Sequence, residues 1–304
     1  MTNEQRMKNL MPPTGMIDAV LDTDAYNEID DQFAIAYMLK QKNRINVRAI
    51  YAAPFHNEKS ESFGDGMNRS YDEILKVLTL MGEEEKKHVV FRGSEAPLID
   101  ERTPQPSVAA AHLVDMARTY SPDRPLYVVA IGAITNVASA ILSAPDIIEN
   151  IVVIWLGANG HHYPNNAEFN LLGDIAAARV VMGCGVPFVL LPCMGVVSAF
   201  TTSEHELRYW LEGKNELCDY LVENTVAAAE IYAKGRPWTR VIWDVCAVAW
   251  LSDNIHLLAS DIRDMKLPTY DKSYEDITDA HKFRYVYHIN RDALFCDLVD
   301  KLTK

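Results

Sequence analysis

The stretch MIDAVLDTDAYNEIDDQF, residues 16–33, runs from an apolar, strand-like segment straight into acid. Five carboxylates, Asp22, Asp24, Glu28, Asp30 and Asp31, fall within ten positions. Like charges this close repel and raise one another's pKa, so something must offset them. Solvent, the first turn of a helix or a bound metal each would. Asp30 and Asp31 open the helical pattern DDQFAIAYMLK, where the macrodipole favours negative charge. That dipole does not account for Asp24, which stands at the strand end. A cluster rich in oxygen and without nearby His or Cys suits a hard cation, Ca²⁺ or Mg²⁺.

The same alternation continues outward from this stretch. Near-continuous apolar runs at 16–22, 46–53, 88–91, 126–132, 151–157 and 187–192 read as strands covered on both faces. Amphipathic segments at 31–42, 67–81, 107–120, 134–143 and 173–183 read as the helices between them. Such alternation predicts an α/β fold, an open and mainly parallel sheet with helices on both faces. In the last third, Ser203 and Glu206 have capping-box spacing and open a long helix to about residue 233. DVCAVAWLSD (244–253) reads as a buried helix, and the alternating KFRYVYHI (282–289) as an edge strand. No repeat or linker interrupts 1–304, so one domain is expected, with 1–15 as a flexible leader.

Composition narrows the function classes. A net charge of −13 argues against nucleic acid backbones as partners. No apolar run reaches 18 residues, and the first 15 residues lack the apolar core of a signal peptide. The five cysteines are scattered with no C-x-x-C, which excludes a thiolate zinc site by spacing and suggests a reducing compartment. A cytoplasmic location is therefore expected.

Ligands in open α/β sheets bind beyond the carboxyl ends of strands. Asp22 and Asp24 end the first strand, and Asn57 follows the second. Thr135 and Asn136 follow the fourth, and Glu168 and Asn170 the fifth. Polar groups from four strand ends thus converge on one edge. An EF-hand is rejected, because Tyr26 and Asn27 replace Asx-Gly and Phe33 replaces the bidentate Glu. A metal-dependent phosphatase of the D-x-D type is the weaker alternative.

With these blocks assembled, the sequence resembles the nucleoside hydrolase family, the inosine-uridine-preferring type of N-ribohydrolase. The family's D-x-D-P-G-x-D-D appears as DTDAYNEIDD, A-L-G-P-L-T-N-x-A as AIGAITNVASAI, A-E-F-N as AEFN, and H-D-P-x-A-V-A as WDVCAVA. The blocks keep their order from about residue 16 to 300. The resemblance implies a Rossmann-like fold and Ca²⁺-dependent hydrolysis of ribonucleosides to ribose and free base, in nucleoside catabolism and purine salvage. It implies a small-molecule substrate and a homo-oligomer, dimer or tetramer. By the same carry-over, Asp24, Asp31, Asp244 and the carbonyl of Thr135 hold the metal, and Asp24 takes a proton from the metal-bound water. Asp30 and Asn170 hold the 2′-hydroxyl, Glu168 the outer hydroxyls, Asn57 the reacting water or sugar, and Asp22 supports from behind.

Three departures bear on substrate choice. AYNE replaces Pro-Gly and lengthens the first loop by two residues, so Tyr26, Asn27 and Glu28 either reach the cavity or form a solvated turn. GHHYPNNAEFN brings His161 and His162 near the position of the 5′-hydroxyl ligand, as ligands or as hydrogen-bonded structure. Trp243 stands where many members have a His acting as acid toward the leaving base. It cannot supply a titrating proton, but it can stack on a base or simply fill core. Tyr232, Trp238 and Arg240 precede it and are candidates to line the base pocket. A ribosyl-compound hydrolase of altered specificity, or a nucleoside- or ribose-binding protein, is the alternative reading.

Overall fold

The computed structural model describes residues 1–252 and 254–304. Its strands are β1 (Ile17–Thr23), β2 (Ile45–Ala52), β3 (Val90–Arg92), β4 (Leu126–Ala130), β5 (Ile151–Leu156), β6 (Phe188–Leu191), β7 (Thr201–Thr202), β8 (Arg240–Val241), β9 (Leu258–Asp264), β10 (Lys266–Pro268), β11 (Tyr274–Asp276) and β12 (Lys282–Ile289). The helices are α1 (Asn3–Asn9), α2 (Asp31–Leu39), α3 (Phe63–Leu80), α4 (Val108–Ala117), α5 (Thr135–Ser143), α6 (Phe169–Gly173), α7 (Ile175–Gly183), α8 (Glu204–Leu211), α9 (Glu216–Ala233), α10 (Val245–Ala249) and α11 (Arg291–Leu302). Eight strands form the main sheet in the order β3-β2-β1-β4-β5-β6-β12-β9. All neighbours pair in parallel except β12 with β9.

Alternate residues of each strand feed two separate cores. Ala19 and Leu21 pack on one face of the sheet and Val20 on the other; Ile154 and Trp155 divide in the same way. Burial on both faces explains why these strands read as continuous apolar runs. The chain proceeds outward from β1 through β2 to β3, then returns to β4 on the opposite side of β1. That reversal opens a crevice at the carboxyl ends of β1 and β4.

Four expectations are corrected. The strand at 282–289 is not an edge: β9 covers it, and β9 was not anticipated because its sequence LASDIRD carries three charges in seven residues. The long helix from 203 is two helices. Gly213 takes the left-handed conformation (φ +73°) after α8, and Asn215 caps α9 by accepting from Cys218 N at 2.8 Å. The helix expected over 244–253 ends as α10 at Ala249, and residue 253 lies outside the described residues.

Finally, residues 1–15 are docked rather than loose. Thr2 and Gln5 form a capping box on α1, and Leu10 is fully buried. The Leu10 carbonyl accepts from Arg284 Nε at 2.8 Å, and Arg44 donates to the carbonyls of Pro13 and Gly15. Guanidinium donors thus satisfy the backbone of a segment whose polar sequence suggested solvent. Among the described residues no helix is long and apolar enough to cross a membrane.

Candidate active site

Beyond the end of β1 the chain turns sharply: Asn27 N donates to the Asp24 carbonyl at 2.7 Å, and Asp30 and Asp31 then start α2. Asp244 arrives from the far end of the sequence, at the start of α10. Asp30, Asp31 and Asp244 each offer an oxygen within 4.8 Å of the others, and all three are buried. Asp24 lies beside them, also buried, with its Oδ2 lacking a hydrogen-bond partner. These four carboxylates line one cavity of about 220 Å³.

Their electrostatics follow from crowding out of water. Burial, then the charges of Asp31 and Asp30, holds Asp24 well above the usual carboxylate range. Asp30 is pushed up to about 7 by burial and then Glu28, with Arg240 opposing. Asp31 is pushed up to about 8 by burial and then Asp30, although the Thr23 hydroxyl donates to it. Asp244 is raised by burial, then by Asp30, Asp31 and Asp24. Asp22 sits behind the cavity, where Asn136 Nδ2 donates to it at 2.8 Å, and burial raises it to about 7.

The opposite wall comes from β5 and the segment after it. Both oxygens of Glu168 are engaged by backbone: Oε1 accepts from Asn170 N at 2.9 Å, and Oε2 from Ala158 N at 2.8 Å and Leu171 N at 2.9 Å. Asn170 Nδ2 donates to the carbonyls of Ile131 at 3.1 Å and Leu156 at 3.0 Å, tying the ends of β4 and β5 together. Glu168, Asn170 and Trp243 all line the cavity, and Trp243 also packs against the core beneath.

Four residues assigned as ligands do not line it, and neither do the base-pocket candidates Tyr232, Trp238 and Arg240. Thr135 is the first residue of α5, and its hydroxyl donates to Asp174 at 2.8 Å. Helical carbonyls point toward the helix C-terminus, away from the strand ends, and the residue of this segment that does line the cavity is Ile131. Asn57 is consumed by its own turn, accepting from Lys59 N at 2.8 Å, and donates to Asn27 Oδ1 at 2.7 Å. Asn27 lines the cavity in its place. His161 turns into an aromatic cluster, 4.7 Å from the ring centroids of Tyr274 and Tyr285, where burial depresses it to about 4. His162 is exposed and lies over Gly160 and Gly195.

The sequence matches the family described as inosine-uridine preferring nucleoside hydrolase over residues 19–294. The chain belongs to that family. It is 27% identical over 255 residues to the pyrimidine-specific ribonucleoside hydrolase RihA of Citrobacter koseri, covering 73% of this chain and 75% of that one. Among solved structures, the purine-preferring ribonucleoside hydrolase from Gardnerella vaginalis superimposes with a TM-score of 0.75 at 17% identity, over 94% of this chain and 98% of the other. An inosine-guanosine nucleoside hydrolase gives 0.73 at 19% identity, with the same coverage. At these identities the structural likeness establishes the fold, and the family match establishes the class of enzyme, a hydrolase of the N-glycosyl bonds of small-molecule nucleosides.

In this nucleoside hydrolase several lining residues were not singled out from sequence. Asn159, in the GANG segment after β5, accepts from Met194 N at 3.1 Å and faces the cavity with Met194, Cys193 and the partly exposed Phe169. Position alone was the available signal, since Asn159 follows a strand end. Gly132 is a further silent requirement: a Cβ there would lie 3.0 Å from both Cγ and Oδ1 of Asp24. We expect Gly132→Ala to lower kcat on the order of tenfold by displacing that carboxylate. Steady-state kinetics beside a thermal melt would check it, and an unchanged kcat would show that Asp24 tolerates the shift.

Proposed function

We propose that this nucleoside hydrolase uses Ca²⁺ to hydrolyse the N-glycosidic bond of ribonucleosides, releasing ribose and free base, with Asp24 as the general base. The observation that carries this reading is the convergence of buried Asp24, Asp31 and Asp244 on one cavity, with Asp24 Oδ2 unpartnered. Buried carboxylates held above their ordinary pKa call for a counter-charge, and an all-oxygen set fits a hard dication. Asp24, Asp31 and Asp244 would hold it, with the Ile131 carbonyl rather than that of Thr135 as the backbone donor. Bound there, the cation would neutralise the cluster and acidify the water it orients.

The remaining steps belong to the chain. Asp24 accepts the proton of the attacking water, a transfer that contributes roughly 10²–10⁴-fold. The C1′–N bond breaks with its electron pair passing to the base, which takes a proton from solvent, while the water oxygen bonds to C1′ and the neighbouring carboxylates stabilise the oxocarbenium-like sugar. Asp30 and Asn170 hold the 2′-hydroxyl. The amide hydrogens of Asn170 are committed to two strand-end carbonyls, so its Oδ1 is the atom turned to the sugar. Glu168 holds the outer hydroxyls through lone pairs beyond those its backbone bonds use.

On the base side, Trp243 presents an aromatic face, and stacking is worth ~1–3 kcal/mol. Trp243→Leu is expected to raise KM about 5- to 100-fold with a smaller change in kcat. Trp243→His should broaden the range of bases and add a pH dependence near neutrality. No change in either variant would mean that Trp243 serves only the core.

The chain's eight-stranded sheet, from which all these elements project, supports a single domain. We place the enzyme in cytoplasmic nucleoside catabolism and purine salvage, as a homo-oligomer. Exposed Tyr209, Trp210 and Ile231 support self-association. The test is ribose release from a panel of purine and pyrimidine ribonucleosides, with added Ca²⁺ and with a chelator. Chelator-sensitive release is expected. Calcium binding with no release from any nucleoside would leave a nucleoside- or ribose-binding protein.

A further inference from the structure

The inserted turn AYNE carries a contact that the reaction scheme above does not use. Glu28 lines the cavity and accepts from Arg240 Nη2, an ion pair joining residues 212 positions apart. Its Arg240 side is largely shielded, at 19% exposure against 42% for Glu28. On one side, the turn is anchored to its own neighbourhood: Gln32 Nε2 donates to Ala25 O at 2.9 Å and Lys59 Nζ to Asn27 O at 2.8 Å. On the other side, Arg240 belongs to β8, which pairs with β7, and Ile242 N donates to Phe200 O at 3.0 Å. Trp243 follows directly. Two segments distant in sequence, the inserted turn and the strand leading to Trp243, therefore meet at this ion pair.

We infer that Glu28 and Arg240 are a positioning pair that clamps the inserted turn against the Trp243 wall and so sets the grip on the leaving base. The inference rests on the assignment of Trp243 to the base side. A guanidinium suits this role because its planar fork binds several acceptors in fixed directions. Of the pair only Glu28 lines the cavity, with Arg240 holding it, whereas the sugar-side residues Asp30, Glu168 and Asn170 are held by α2, α6 and the ends of β4 and β5. Both partners also act on Asp30 with opposite charge, so a single variant disturbs the sugar side as well, whereas removing both charges together should weaken hold of the base and leave the sugar side nearest to wild type.

The test compares wild type, Glu28→Gln, Arg240→Met and the double variant on a panel of ribonucleosides, with free ribose as a competitive inhibitor and thermal melts alongside. Each single variant is expected to raise nucleoside KM about tenfold, the scale of one charge-assisted hydrogen bond, by an amount that depends on the base. In the double variant, which removes both charges from Asp30, the ribose inhibition constant stays at the wild-type value, and the loss of nucleoside binding is no greater than in either single variant, as expected of partners. Arg240→Lys, which keeps charge and bulk, recovers part of the loss. Unchanged nucleoside KM in Glu28→Gln, additive losses in the double variant, or a rise in the double variant's ribose inhibition constant equal to its rise in nucleoside KM would each overturn the pair's role. Failure of Trp243→Leu to alter nucleoside KM, with the pair's effects intact, would strike the base-side assignment instead. A wild type that releases no ribose would overturn both.

Discussion

Asp24→Ala should abolish ribose release, with kcat/KM falling by at least about 10²–10⁴-fold, the range for loss of a positioned base. The loss of a cation ligand adds to it. A second variant separates chemistry from folding. Asp24→Asn keeps the shape and removes one charge from a buried, mutually repelling set. Without dication it should therefore melt at or above the wild-type temperature near pH 8 while remaining inactive. Turnover of either variant at near wild-type rate would sink the assignment of Asp24 as base. Release of ribose read by a reducing-sugar assay, beside thermal melts of the same preparations, measures both quantities.

The second large effect concerns pH and the dication together. Asp22, Asp30 and Asp31 have folded pKa values of about 7, 7 and 8, above the ordinary 3.8. Between those limits the folded chain binds more protons than the unfolded one, so stability falls as pH rises. Their contribution is complete below about pH 4 and lost as pH passes through 7 to 8. Cation-free protein is thus expected to lose melting temperature steadily from pH 5 to pH 8. Ca²⁺ at a hundred times its Kd should add about 2.7 kcal/mol, a rise on the order of 5 °C, and flatten the slope. Melts in chelator that were level or rising with pH would contradict the buried-charge account. A melting temperature indifferent to Ca²⁺ at pH 8 would contradict the cation.

The sheet was legible because burial on both faces leaves a one-dimensional trace, a near-continuous apolar run, and β1, β2, β4, β5 and β6 each have one. Pairing with a neighbour leaves no such trace, which is why polar β9 went unseen and β12 was placed at an edge. The acids could be found because their density in DTDAYNEIDD defies ordinary solvation. Asp244 came only with the family blocks, since no local pattern links it to residue 31. Thr135 and Asn57 show the limit of carrying roles by position. A helix start four residues past Ile131 turns one carbonyl away, and a turn that engages Asn57 leaves Asn27 facing the cavity. His161 and His162 illustrate the same point. Adjacent in sequence, one enters an aromatic cluster and the other faces solvent, and neither meets the cavity.

The docked amino-terminal segment has a consequence of its own. Arg6, Arg44 and Arg284 grip carbonyls at the starting ends of the strands, while Asp24, Asp30, Asp31, Asp244 and Glu168 collect at their finishing ends. Carboxylates are thereby gathered at one end of the strands, and the mouth there is anionic. A field of that kind draws small cations toward the mouth before any ligand bond forms. Loading with a dication should then be fast in dilute buffer and slow as salt shortens the reach of the field to about 10 Å at 0.1 M.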